Sequence, residues 1–192
     1  RIVPPEGNRQ NIKLDEVPMA VRQAVLAAED REFYSNPGFS ITGFGRAAIG
    51  QVLGREGAGG GSTITQQYVK NALVGDEFSL TRKAKELVIS AKMAREWSKD
   101  EILEAYLNTI YFGRNAYGIS AASNAYFGKE VKDLTPEEGA VLAATIQAPS
   151  SLDPWTNRER AESRWNYVLD GMVSIDAMKE ADRKKAAYPK VK

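Results

Sequence analysis

Glu29 and Asp30 stand side by side at the end of an alanine-rich run, just before the break Ser35-Asn36-Pro37-Gly38. A helix gains nothing from two acids there, because they face the negative end of its dipole, where cations are favoured. A solvated helix terminus would account for an arbitrary Glu-Asp pair. The alternative is chemistry at the helix mouth, with a carboxylate taking a proton from a substrate. The 192 residues include no histidine and no cysteine. That removes Ser-His triads, His-based zinc sites, thiol nucleophiles and disulfides. Acid–base work is left to Asp, Glu, Lys or Tyr.

Three further segments hold polar residues that helix architecture alone does not require. In Gly59–Lys70, Ser62 or Thr63 caps a helix after a glycine run, with Gln66 three residues beyond Thr63 in capping-box spacing. Such a start points backbone N–H groups at an anion. Lys70 follows, at the i+3 and i+4 spacings from Gln67 and Gln66. In Thr81–Glu86, Arg82 and Lys83 lie four and three residues before Glu86, so both cations can flank one carboxylate. That is either an ordinary helix ion pair, worth a few tenths of a kcal/mol, or a cationic cradle for phosphate held in place by Glu86. In residues 108–129, Tyr111, Phe112, Tyr117, Tyr126 and Phe127 interleave with glycines and Arg114. Small-residue packing explains most of these aromatics as core.

The elements that must carry these residues are helices. Acids and a proline (Asp15, Glu16, Pro18) open a periodic run to residue 30, with Val17, Val21, Ala24, Val25 and Ala28 in register. Residues 81–97 put Ala84, Leu87, Val88, Ala91 and Ala94 on one stripe. Ser98 and Glu101 form a capping box ahead of Ile102, Leu103, Tyr106, Leu107 and Ile110. Thr135, Pro136 and Glu138 repeat the device. A last helix spans Asn157 to Met172, with Ala161, Trp165, Val168 and Met172 in register. Strand alternation is scarce, so the fold is predicted to be mainly α. Residues 36–61 are the exception, rich in glycine and with Phe39, Ile41 and Phe44 expected at the surface; they read as a mobile lobe.

Composition fits a folded protein, with 43% apolar and 27% charged residues and a formal net charge of +1. A near-neutral balance leaves no nucleic-acid footprint. No apolar run reaches membrane-spanning length. The chain opens on Arg1 rather than Met, which suggests a domain cut from a longer protein, so the missing span is weak evidence against a membrane anchor.

In order, the runs EDREF, GGSTITQQ, RKAKE, KDEILEAYLN, YFGRNAYGISAASNAYFGK and QAPS resemble the glycosyltransferase family 51 domain, the peptidoglycan glycosyltransferase of class A penicillin-binding proteins. The match covers roughly residues 15–172, nearly the whole chain. The resemblance implies a lysozyme-like helical head and a small, mobile, membrane-facing jaw, here residues 36–61. It implies polymerisation of lipid II into β-1,4-linked glycan strands, with inversion and release of undecaprenyl pyrophosphate, on the outer face of the cytoplasmic membrane. By position, Glu29 matches the general base and Glu86 the second catalytic glutamate, which orients cations. Lys70, Arg82 and Lys83 match the pyrophosphate-stabilising cations, with Ser62, Thr63 and Gln67 adding hydrogen bonds. Asp30, Phe33, Gln66, Asn108 and Arg114 fall in the same motifs and join the substrate-binding set.

The resemblance assigns no metal ligands and no certain cofactor; a Mg or Mn ion assisting the leaving group stays open. The partners it implies are lipid II, the growing glycan, the membrane surface, moenomycin-type inhibitors and a C-terminal transpeptidase domain. Two positions depart from the family pattern, Asn36 in place of a histidine and Phe78 in place of an arginine. The rival readings are a lytic enzyme of similar fold and a catalytically silent cell-wall scaffold. The cation set argues against the first, because glycan cleavage needs an acid at the glycosidic oxygen and no pyrophosphate cradle. Retention of both glutamates argues against the second.

Overall fold

The computed structural model describes residues 10–43, 45, 61–75 and 79–192, and they divide into two compact units. The first comprises Arg1–Arg31 with Leu107–Lys192, the second Glu32–Tyr106. The described residues are mainly helical, as predicted, and contain no strand beyond one isolated bridge between Tyr111 and Tyr117. Of the expected jaw at 36–61, positions 44 and 46–60 lie outside the described residues, as does Phe78.

In the first unit, helices α1 (Met19–Glu29), α6 (Pro136–Thr145) and α7 (Arg158–Ser174) pack on one another. The reason is in α6, whose residues 138–145 are all buried. A helix apolar on every side belongs inside a core rather than on its surface. Its small residues let neighbours close in: a Cβ added to Gly139 would lie 3.0 Å from Val21 Cγ2. Thr135 caps α6 through the predicted box with Glu138, and Pro136 takes the first turn. On α7, Ala161, Trp165, Val168 and Met172 are buried, as their spacing predicts. Helix α5 (Ile119–Phe127) packs against α6, and Phe112, Tyr126 and Phe127 join the core.

The second unit holds α2 (Ile64–Val69), a π-helical turn (Lys70–Val74) and α3 (Leu80–Glu96). Helix α4 (Lys99–Thr109) crosses the boundary between units, buries Ile102, Leu103, Tyr106 and Leu107, and carries the predicted Ser98–Glu101 box at its start. The stripe expected on α3 is not its buried face. Val88 is 69% exposed and Ala84 is exposed, while Glu86, Ser90 and Met93 are buried. Hydropathy ranks that face wrongly because its polar members bring their own partners: Ser90 Oγ donates to the Glu86 carbonyl at 2.6 Å, and Glu86 takes the Lys83 ammonium.

The second unit also has a clip where its chain enters and leaves. Lys99 Nζ donates to Asn36 O (2.8 Å) and Oδ1 (3.1 Å) and lies 4.9 Å from the Phe33 ring centroid. Tyr34 Oη donates to Asp100 at 2.9 Å. Asn36 Oδ1 also accepts the Gly38 N–H, closing the turn at the first departure from the family pattern.

Candidate active site

Glu29 is the last residue of α1, and its side chain is 11% exposed. The residue that answers its charge comes from α7: Arg164 Nη2 lies 3.7 Å from Glu29 Oε1 and donates to the Ala28 carbonyl at 3.0 Å. Arg31 Nε donates to the Ala27 carbonyl at 3.1 Å. Two guanidinium groups thus sit on the negative end of α1, which offsets the dipole that makes this a poor place for acids. Both lie against the ring of Tyr167, at 5.0 Å for Arg31 and 4.4 Å for Arg164. Asp30 caps the helix in a non-helical conformation and is partly buried. Sequence reasoning missed Arg164 and Tyr167, since they stand in a regular amphipathic helix more than 130 residues away from Glu29 in the chain.

A second carboxylate centre lies in the second unit. Lys83 Nζ donates to Glu86 Oε1 at 2.8 Å and to Ser62 Oγ at 3.0 Å, with the side chains only 10% and 5% exposed at Lys83 and Glu86. This is no solvated surface pair: removing the cation would leave Glu86 buried beside nothing of opposite sign on that oxygen. Thr63, not Ser62, caps α2; its Oγ1 accepts from Gln66 N and donates to the Gly38 carbonyl. Gln66 returns the capping bond to Thr63 N and also accepts from Ser40 N. Gln67 Oε1 accepts from Tyr106 Oη at 2.9 Å. Ser62, Lys83 and Glu86 are therefore brought together directly, and Thr63, Gln66 and Gln67 build the helix start beside them.

Lys70 is exposed and opens the π-helical turn, which replaces the α-helical register expected there. That wider turn ends at Gly75, φ 94°, where a Cβ would come within 3.3 Å of Arg82 Nη1. Lys70 and Arg82 lie on either side of residues 76–78 in the chain, which are outside the described residues. Phe33 is fully buried. Asn108 clasps the backbone of Ile12, donating to its carbonyl and accepting its N–H at 2.9 and 3.0 Å. Arg114 makes a two-point contact with Asp153 at 2.7 and 2.8 Å and stacks 4.2 Å from the Tyr126 ring. The shared hydrogen bond holds Asp153 below the usual carboxylate range and raises Arg114 further. Within the first unit these bonds tie Asn108 to Ile12 and Arg114 to Asp153. Among the described residues no cluster of three or more acidic side chains could hold a metal ion, and no helix is long and apolar enough to cross a membrane.

A family model described as Transglycosylase matches residues 2–173. Penicillin-binding protein 1A of Mycolicibacterium smegmatis is 65% identical, over 98% of this chain and 25% of that protein. The protein of the same name from Mycobacterium tuberculosis is 62% identical, over 98% of this chain and 23% of its own length. The crystal structure of penicillin-binding protein 1A from Haemophilus influenzae shares the fold at a TM-score of 0.56 and 23% identity, covering 96% of this chain and 18% of that one. The chain thus spans about a quarter of the length of the curated relatives it matches.

Proposed function

The chain belongs to the transglycosylase family and is a peptidoglycan glycosyltransferase domain, and we propose that it elongates glycan strands from lipid II. The observation that carries this reading is the buried Lys83 ammonium, bound by Ser62 and oriented by Glu86. A fixed cation of this kind stabilises a departing diphosphate without having to reorganise as charge develops.

In the proposed step Glu29 removes the proton from the acceptor sugar's 4-hydroxyl. The freed oxygen attacks the anomeric carbon of the lipid-linked donor, and the bond from that carbon to the diphosphate oxygen breaks with its electron pair. One proton ends on Glu29 and the negative charge on undecaprenyl diphosphate. Displacement from the opposite face turns the α-linked donor into a β-1,4 product. Lys83, Arg82 and Lys70 compensate the leaving charge, and Arg164 offsets the charge of Glu29 before it takes the proton. The absence of histidine makes this division of labour natural, since no neutral acid of that type is available to protonate the diphosphate.

The reaction places the domain at the outer face of the bacterial cytoplasmic membrane, with moenomycin-type phosphoglycolipids competing for the cations and a transpeptidase region in the longer protein. A divalent cation, where it assists, would travel with the diphosphate. The test is direct: labelled lipid II is incubated with the chain, with and without Mg²⁺ or Mn²⁺, and products are separated on a gel. A ladder of polymer is the expected result. Lipid II that stays unconsumed while the chain shortens preformed glycan would establish a lytic enzyme instead.

A further inference from the structure

The last residues of the chain, beyond the 2–173 matched by the family model, lie back along the first unit in an order that reverses α7. Helix α8 (Glu180–Lys185) starts this return, with Arg183 bonded to Asp170 and Asn166 at 2.7 Å each. Residues 186–192 then run on without helix or strand. The Tyr188 ring meets Trp165 edge-on at 5.3 Å and lies 4.1 Å below the Arg158 guanidinium. Four residues on, the Lys192 side chain lies over Gly128. The Lys192 N–H donates to the Tyr126 carbonyl at 2.9 Å, and its backbone oxygen, here part of the chain-end carboxylate, accepts from Arg114 Nη1 and from the Trp155 indole.

We propose that this surface is a binding seat for an extended segment bearing an aromatic ring four positions ahead of a backbone unit, filled here by residues 186–192 acting as a strap, and that the seat relays the strap's position to the loop 113–118. The chemistry is specific. A guanidinium and an indole edge select the ring, while two donors and one carbonyl select an in-line peptide group.

The relay follows from what holds the loop. Arg114 and Asn115 both sit at positive φ, 53° and 56°, a conformation that L residues with a Cβ adopt only under constraint. Gly113 is jammed against Tyr126, where a Cβ would lie 2.9 Å from the phenolic oxygen, and that phenol donates to the Phe112 carbonyl at 2.6 Å. The strap bonds the same two residues, Tyr126 and Arg114, that keep the loop in this shape. Burial also pushes the Tyr188 phenol up to about 12, in keeping with a seated ring.

Backbone ¹⁵N relaxation on the 192-residue chain tests both halves. In the unsubstituted chain the amides of 187–192 should give order parameters of about 0.85, as in a folded helix. Tyr188→Ala should drop them below about 0.6 and displace the Arg114 and Asn115 amide resonances. Tyr188→Phe, which keeps the ring, should change neither. If Tyr188→Ala does not fold, Arg158→Ala, on an exposed side chain, should give the same loosening. A chain extended by Gly-Ser-Gly after Lys192 turns that chain-end oxygen into a peptide carbonyl and should stay seated, because the seat selects an in-line peptide group. Low order parameters at 187–192 in the unsubstituted or the extended chain would overturn the seat. A strap freed by Tyr188→Ala with the Arg114 and Asn115 resonances unmoved would overturn the relay.

Discussion

Glu29 and Glu86 are both buried beside a cation, but the two arrangements are built differently. Glu86 sits in direct hydrogen-bond contact with Lys83, three residues earlier on the same helix, at 2.8 Å. Glu29 Oε1 faces Arg164 at 3.7 Å, beyond hydrogen-bond reach, and that cation comes from a helix remote in sequence. An ammonium in hydrogen-bond contact fixes the position of the carboxylate oxygen it holds. On the proposed function, the glutamate of α3 orients its cation and the glutamate of α1 takes the proton.

The assignment is most exposed at Glu29. Glu29→Gln should reduce lipid II polymerisation by about a hundredfold or more while leaving circular dichroism and melting temperature near the parent's. A folded variant of near-normal turnover would reverse the roles of the two glutamates. Lys83→Ala comes next. Charge-assisted bonds of this kind contribute roughly 1.5–3 kcal/mol, so polymerisation and moenomycin affinity should both fall about ten- to a hundredfold, and the melting temperature should drop as well because Glu86 is left buried. Unchanged inhibitor affinity in a titration would reduce Lys83 to a structural ion pair.

Arg164 sharpens the other side of the contrast. Arg164→Met should lower kcat roughly tenfold, about 1.4 kcal/mol, with KM little changed, and Arg164→Lys should recover part of it. A variant that raises KM alone would mean that Arg164 binds substrate instead of serving Glu29. The smallest effect is expected at a pair outside both centres. Asp153 is held below its ordinary value chiefly by the Arg114 hydrogen bond. Its contribution is therefore fully present above the unfolded-state value near pH 4 and is lost as pH falls through the lowered folded-state value. Asp153→Asn should cost about 1 kcal/mol at neutral pH and flatten the fall of melting temperature with pH in that acid window.

What could be read in advance depended on whether the determinants are local. Capping boxes at Thr63, Ser98 and Thr135 involve residues three apart, and all three form as their spacing predicts. The apolar registers of α4 and α7 were equally legible. The Lys83–Glu86 contact could be read as well, being one turn of helix. Its depth could not, since hydropathy sorts α3 by its aliphatic residues while the buried face is the one whose polar groups satisfy each other. Arg164 was invisible for a different reason: its spacing serves α7, and only the packing of α1 on α7 turns it toward Glu29. The π-turn at Lys70 likewise has no composition signal: its residues would fit an α-helix as well.

The clip formed by Tyr34, Asn36, Lys99 and Asp100 has an architectural consequence. It fastens residue 36 to residue 99, so the two ends of the stretch that carries α2, the π-turn and α3 are held together within the second unit. Once the two ends are fastened, lengthening the enclosed path adds entropy cost only slowly, about 0.6 kcal/mol for each doubling. Length changes between the segments that carry Ser62, Lys83 and Glu86 are therefore expected to be tolerated within the second unit, provided the lysine that grips Asn36 and the carboxylate that receives Tyr34 are kept on the returning side.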